Sequence, residues 1–164
     1  MSATNPIRVL VVDDHPEVRR TLASVLRPHP DVEVVGEAAT GEEAILRAEQ
    51  LQPTVVLMDI HIPALDGIAA TRVITSRCPP IVVIGLSGHV QDYLQYAIVK
   101  AGGFGLFQKD EAVAGLYEFI KQALASKQPG QTTTMPSLQA DQVNLEIAEN
   151  PPASPRPGHN APSI

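Results

Sequence analysis

The stretch V-L-V-V-D-D-H-P-E-V-R-R, Val9 to Arg20, runs from an apolar segment straight into two adjacent aspartates. Neighbouring carboxylates repel by roughly 1 kcal/mol at 4 Å in water and by about 4 kcal/mol at the effective dielectric of a protein surface. Asp13 and Asp14 therefore call for a positive partner. The apolar run, residues 7–12, is rich in β-branched side chains and lacks alternation, as a strand covered on both faces requires. Four similar runs follow at residues 32–35, 55–58, 81–84 and 104–107.

Helical patterns lie between these runs. Val18, Leu22, Val25 and Leu26 share one helical face, as do Val90, Leu94, Ala97, Ile98 and Ala101. Thr40 and Glu43 have capping-box spacing ahead of Ala44, Ile45, Ala48 and Leu51. His15 and Pro16 start the first helix, Asp66 and Asp110 are the expected N-caps of the third and fifth, and Gly102 is the stop of the fourth. Arg19-Arg20 and Glu42-Glu43 read as solvated helix faces.

Strands alternating with helices predict a doubly wound α/β sheet. Right-handed crossovers place helices on both faces, and the flavodoxin-like order 2-1-3-4-5 is expected. Ligands bind such a sheet outside the carboxyl ends of its strands, where the first and third part. Asp13 and Asp14 follow the first strand, Asp59 the third, Ser87 the fourth and Lys109 the fifth. Three carboxylates at one crevice make a hard-oxygen site suited to Mg²⁺. Ser87 offers a hydroxyl donor there, and Lys109 a point charge for a phosphate oxygen.

The chain has 164 residues, 44% of them hydrophobic, enough for one sizeable core. A formal charge of -6 offers no basic footprint, so no direct nucleic-acid binding is expected. Cys78 is the only cysteine, which excludes an intrachain disulfide and reads as a loop residue rather than a redox sensor. The first residues do not pattern as a signal peptide and no apolar segment approaches membrane-spanning length, so no membrane contact and a cytoplasmic location are expected. After residue 126 the composition shifts, and seven of the 15 prolines lie beyond it. A Pro-rich, disordered tail over residues 127–164 follows from that bias, with the alternating Val143, Leu145 and Ile147 as a candidate strand or docking motif.

D-D after the first strand, M-D-I-H-I-P-A-L-D-G after the third, G-L-S-G after the fourth and K-D after the fifth resemble, in order, the receiver domain of bacterial two-component response regulators. The resemblance covers residues 5–126. It implies that Asp59 accepts a phosphoryl group from a histidine of a sensor histidine kinase or phosphotransfer protein. It further implies that Asp14 binds Mg²⁺ directly, Asp13 largely through water, and that the His61 main-chain carbonyl completes the metal ligands. Lys109 and Ser87 would meet the phosphoryl oxygens. The chain would act on itself rather than turn over a substrate, and relay the signal through protein contacts on its fourth helix, fifth strand and fifth helix. His61 and His89, expected as exposed loop residues, fall where phosphoryl lifetime is tuned in this family.

Two features depart from the family pattern. Leu106 stands where a switching Tyr or Phe is usual, with Phe107 expected on the opposite sheet face and Phe104 on the Leu106 face. Lys109 is followed by Asp110 rather than proline. D-D-H-P and K-D look most like receivers of helix-turn-helix DNA-binding regulators, yet nothing after residue 126 resembles that output domain. The leading expectation is a stand-alone phosphorylatable receiver. A non-switching scaffold is the alternative, and a Mg²⁺-dependent phosphohydrolase a weaker one. The downstream partner and homodimerisation are left open.

Overall fold

A computed structural model describes residues 4–110 and 113–127. Strands β1 (Ile7–Val12), β2 (Val32–Ala38), β3 (Val55–Asp59), β4 (Val82–Ser87) and β5 (Gly105–Gln108) form one parallel sheet in the order β2-β1-β3-β4-β5. This is the expected flavodoxin-like topology. Helices α1 (Pro16–Leu26), α2 (Gly41–Leu51), α3 (Gly67–Arg77), α4 (Asp92–Lys100) and α5 (Leu116–Ser126) follow the strands in turn.

Alternation along β1 divides the core. Val9 and Val11 join Leu22 and Leu26 of α1 and Leu116 and Ile120 of α5 on one face. Leu10 and Val12 join Ala44 and Ala48 of α2 and Ala70 and Ile74 of α3 on the other. Both faces of β3 and β4 are thus covered, which is why their sequences read as unbroken apolar runs. A smaller cluster of Ile60, Leu94, Ile98 and Leu106 seats α4.

Local chemistry sets the helix ends. Pro16 opens α1 with His15 at the N-cap. Thr40 Oγ1 accepts from the Glu43 N–H at 3.1 Å, while Glu43 Oε2 accepts from the Ala39 N–H, one residue before the usual return of a capping box. Asp66 Oδ1 caps α3 by accepting from the Ala69 N–H at 2.8 Å. Gly102, at φ +97°, ends α4 in the left-handed conformation that glycine tolerates best.

Several expectations need correction. β2 runs on to Ala38, because a bulge lets Val9 pair with Val34 and Leu10 with Gly36, skipping Val35. Val90 precedes α4 and is exposed, so it is no part of that helix's buried face. Asp110 does not cap α5, since a 3-10 turn (Val113–Gly115) intervenes and Gly115 takes the cap position. Phe104 lies before β5 begins, where strand alternation does not apply. Its ring packs edge-on to Phe119 at 5.4 Å, on the same α5 side as Phe107 and away from Leu106.

Cys78 is buried at the C-cap of α3. Lys127 caps α5 and donates from Nζ to the carbonyls of Pro79 and Ile81 at 2.5 and 2.8 Å. The rest of the expected tail, with Val143, Leu145 and Ile147, lies outside the described residues. Among those described, no helix is long and apolar enough to cross a membrane.

Candidate functional site

The carboxyl ends of β1, β3, β4 and β5 deliver Asp13, Asp59, Ser87 and Lys109 to one edge of the sheet. Lys109 Nζ donates to Asp13 Oδ2 at 2.5 Å and stands 3.1 Å from Asp59 Oδ2. One ammonium therefore joins two carboxylates from neighbouring strands. Asp13 is fully buried and Asp59 nearly so, so this bridge supplies the positive partner that the aspartates demand.

The remaining oxygens are held by local turns. Asp13 Oδ1 accepts from the His15 N–H at 2.9 Å, and Asp59 Oδ1 from the His61 N–H at 2.9 Å. Burial pushes the Asp13 carboxyl up, but hydrogen bonds from Lys109 and His15 outweigh it and hold it below its ordinary value. Burial likewise opposes the Lys109 ammonium, and Asp13 and Asp59 reverse that to raise it. Both groups are thereby kept charged.

Asp14 is placed differently. Its Oδ1 is buried and accepts no hydrogen bond, although His15 Nδ1 stands 3.0 Å away. His15 Nδ1 also lies 3.2 Å from Asp13 Oδ1, and the two aspartates raise the imidazole's pKa, the Asp13 hydrogen bond first. Ligand atoms of Asp13, Asp14 and His15 all fall within 4.8 Å of one another. Asp59 is tied to this group through Lys109. His61 and His89 are exposed in their loops, as expected. Ser87 is buried, with its hydroxyl donating to the His89 carbonyl at 2.7 Å rather than to a site carboxylate.

Residues 9–121 match the model of the response regulator receiver domain. The chain belongs to the response regulator receiver family. LiaR, a transcriptional regulatory protein of Bacillus subtilis, is 38% identical over 117 residues, covering 71% of this chain and 56% of that protein. Protein-glutamate methylesterase/protein-glutamine glutaminase 2 of Methanospirillum hungatei is 42% identical over 108 residues, covering 65% of this chain and 31% of that one. The chain thus spans from about a third to somewhat over half the length of these two relatives. Among solved structures, the response regulator domain of Thermotoga maritima CheB superposes with a TM-score of 0.70 at 32% identity, over 76% of this chain and 100% of that one. A LuxR-family two-component response regulator from Aurantimonas sp. SI85-9A1 gives 0.72 at 28% identity, over 88% and 97%.

Receivers of this family bind Mg²⁺ in their acidic pocket, and the donors of this receiver fit the ion. Asp14 Oδ1 is a buried anionic oxygen lacking a donor, the kind of atom a hard cation satisfies.

Two residues escaped the sequence reading. His15 reads from the sequence as a helix start, yet its ring sits against both aspartates. Arg19 is not a solvated charge: it is largely buried, donating from Nη1 to the Asp13 carbonyl and from Nε to Glu37 Oε2, each at 2.7 Å. The available signal was helical spacing, since Arg19 follows the N-cap by four residues and so lies on the side of α1 that faces the turn.

Proposed function

We propose that this chain is a response regulator that accepts a phosphoryl group on Asp59 in a Mg²⁺-dependent reaction and relays the signal by protein contacts. The observation that carries this reading is Lys109 between Asp13 and Asp59. It holds a buried carboxylate charged at the crevice where β1 and β3 part.

In the transfer, an Asp59 carboxylate oxygen attacks phosphorus on a phosphohistidine of the donor protein. A P–O bond forms, the P–N bond breaks, and the electron pair returns to the imidazole nitrogen, which retains or takes up a proton. Mg²⁺, when bound by Asp14, by Asp13 through water and by the His61 carbonyl, supplies charge neutralisation at the phosphoryl oxygens. Lys109 is positioned to follow the negative charge from the carboxylate to the phosphoryl group, and its compact ammonium suits that role. Ser87 reaches the phosphoryl group by leaving the His89 carbonyl.

The donor is a sensor histidine kinase or a phosphotransfer protein, in the cytoplasm. A groove lined by Val18, Thr21, Leu22 and Val113 lies directly beside Lys109 and gives such a partner apolar contact next to the acceptor. On α4, Tyr93 and Tyr96 are 64% and 66% exposed and provide a surface for a downstream protein. The chain turns over no separate substrate.

Incubation with acetyl phosphate and Mg²⁺ is expected to label the wild type and not Asp59→Asn. Labelling that persists in Asp59→Asn overturns the assignment. Leu106, packed against Ile60, Leu94 and Ile98, favours a second reading in which phosphorylation produces little rearrangement. Labelling with unchanged amide spectra of α4 and β5 would select that scaffold role.

A further inference from the structure

We infer that Arg19, oriented by Glu37, is a positioning residue for the metal-binding carboxylate of Asp14, acting through the Asp13–Asp14 peptide. This rests on the receiver reading above and extends it to residues outside the acceptor set.

The argument begins in β2. The bulge at Val35 breaks the strand's alternation: Val34 packs on the α1 and α5 face, whereas Ala38 packs on the α2 and α3 face. Glu37, paired with Val11, is thereby brought to the α1 side. Without the extra residue it would point to the opposite face. There its carboxylate accepts from Arg19 Nε at 2.7 Å, and the same guanidinium donates from Nη1 to the Asp13 carbonyl at 2.7 Å. A planar fork held at two points has little rotational freedom.

The Asp13 carbonyl belongs to the peptide plane that carries the Asp14 nitrogen. The preceding plane is also pinned, because the Asp13 N–H donates to the Ala38 carbonyl at 3.1 Å. Both planes flanking Asp13 are therefore fixed, one by the extended β2 and the other by Arg19. Asp14 leaves this turn with a direction set by Arg19, and its buried Oδ1 has no hydrogen bond of its own to set it.

Charge and position predict opposite effects on Mg²⁺. Removing a cation beside an acidic pocket should tighten Mg²⁺ if only charge mattered. Loss of positioning should weaken it, by about tenfold when an outer-shell partner is removed.

The test is calorimetric titration of the full chain with Mg²⁺, alongside its melting temperature in EDTA. Arg19→Lys keeps the charge but cannot bridge both acceptors, and is expected to weaken Mg²⁺ about as much as Arg19→Gln. Glu37→Gln should weaken it less, and should add nothing in the Arg19→Gln background. A lower melting temperature with unchanged Mg²⁺ affinity in Arg19→Lys overturns the inference, as does tighter binding in Arg19→Gln. If the wild type binds no Mg²⁺, the proposed Mg²⁺-dependent function itself fails, and this inference with it.

Discussion

Lys109 reaches across the strand ends to Asp59, its Nζ 3.1 Å from Oδ2, while donating to Asp13. Lys109→Met leaves the buried Asp13 without its cation, and is expected to cost about 2 kcal/mol in EDTA. Millimolar Mg²⁺ should restore part of that, because a second cation then faces the same carboxylates. Urea unfolding with and without Mg²⁺ measures both effects. Phosphoryl acceptance should fall about 100-fold, the scale on which loss of one charge-stabilising donor acts. Equal stability of the variant and wild type in EDTA would refute the bridging role.

Gly67 starts α3 against the end of β3. A Cβ there would overlap the Asp59 carbonyl oxygen and stand 2.7 Å from Ile60 Cα, both of them backbone atoms that cannot swing aside. Gly67→Ala is expected to destabilise by roughly 3 kcal/mol through this overpacking. Because the displaced strand end carries Asp59, the proposed acceptor, its labelling should also slow. Wild-type unfolding midpoint and labelling rate in Gly67→Ala would show that α3 can move away freely.

The sheet was legible because its central strands need no interpretation: β3 and β4 are buried on both faces and their sequences are apolar throughout. Asp13, Asp59, Ser87 and Lys109 then fall at strand ends by topology alone. The second half of β2 is hidden by its bulge, which puts Gly36, Glu37 and Ala38 on the faces opposite those that alternation from Val34 would give them. Arg19 reads as solvated for the same reason, since its partner Glu37 lies beyond the apolar run 32–35. Phe104 and Asp110 failed differently. Each lies just beyond an end of β5, where neither strand alternation nor simple capping rules hold.

Leu106 is held from two sides. Its side chain fills the cluster of Ile60, Leu94 and Ile98, and its N–H donates to Gln95 Oε1 at 2.8 Å. Leu106→Ala should therefore cost about 2 to 3 kcal/mol as a cavity. Gln95→Ala, which uncovers an edge-strand donor without opening a cavity, should cost about 1 kcal/mol. The polar partners of Asp59, the proposed acceptor, are the His61 N–H and Lys109 rather than Leu106 or Gln95, so its labelling should proceed at the wild-type rate in both variants. Denaturation curves together with labelling time courses check this, and slowed labelling in Gln95→Ala would place α4 within the acceptor machinery.

Tyr117 on α5 links that helix to the loop before β2. Its hydroxyl donates to Asp31 Oδ2 at 2.8 Å, and its ring stacks on His29 with centroids 3.7 Å apart. Only the protonated hydroxyl can donate to the carboxylate, so the hydrogen bond with Asp31 raises the phenol above its ordinary 10.0. Between 10.0 and that raised value the folded chain keeps a proton that the unfolded chain has lost. The bond's contribution to stability is thus complete below the ordinary value and disappears as pH climbs through the folded one. Absorbance titration of tyrosinate in a Tyr93→Phe/Tyr96→Phe background isolates Tyr117, and Asp31→Ala should bring its midpoint back down. If Asp31→Ala leaves the midpoint unmoved, the contact between Tyr117 and Asp31 does not hold the phenol in solution.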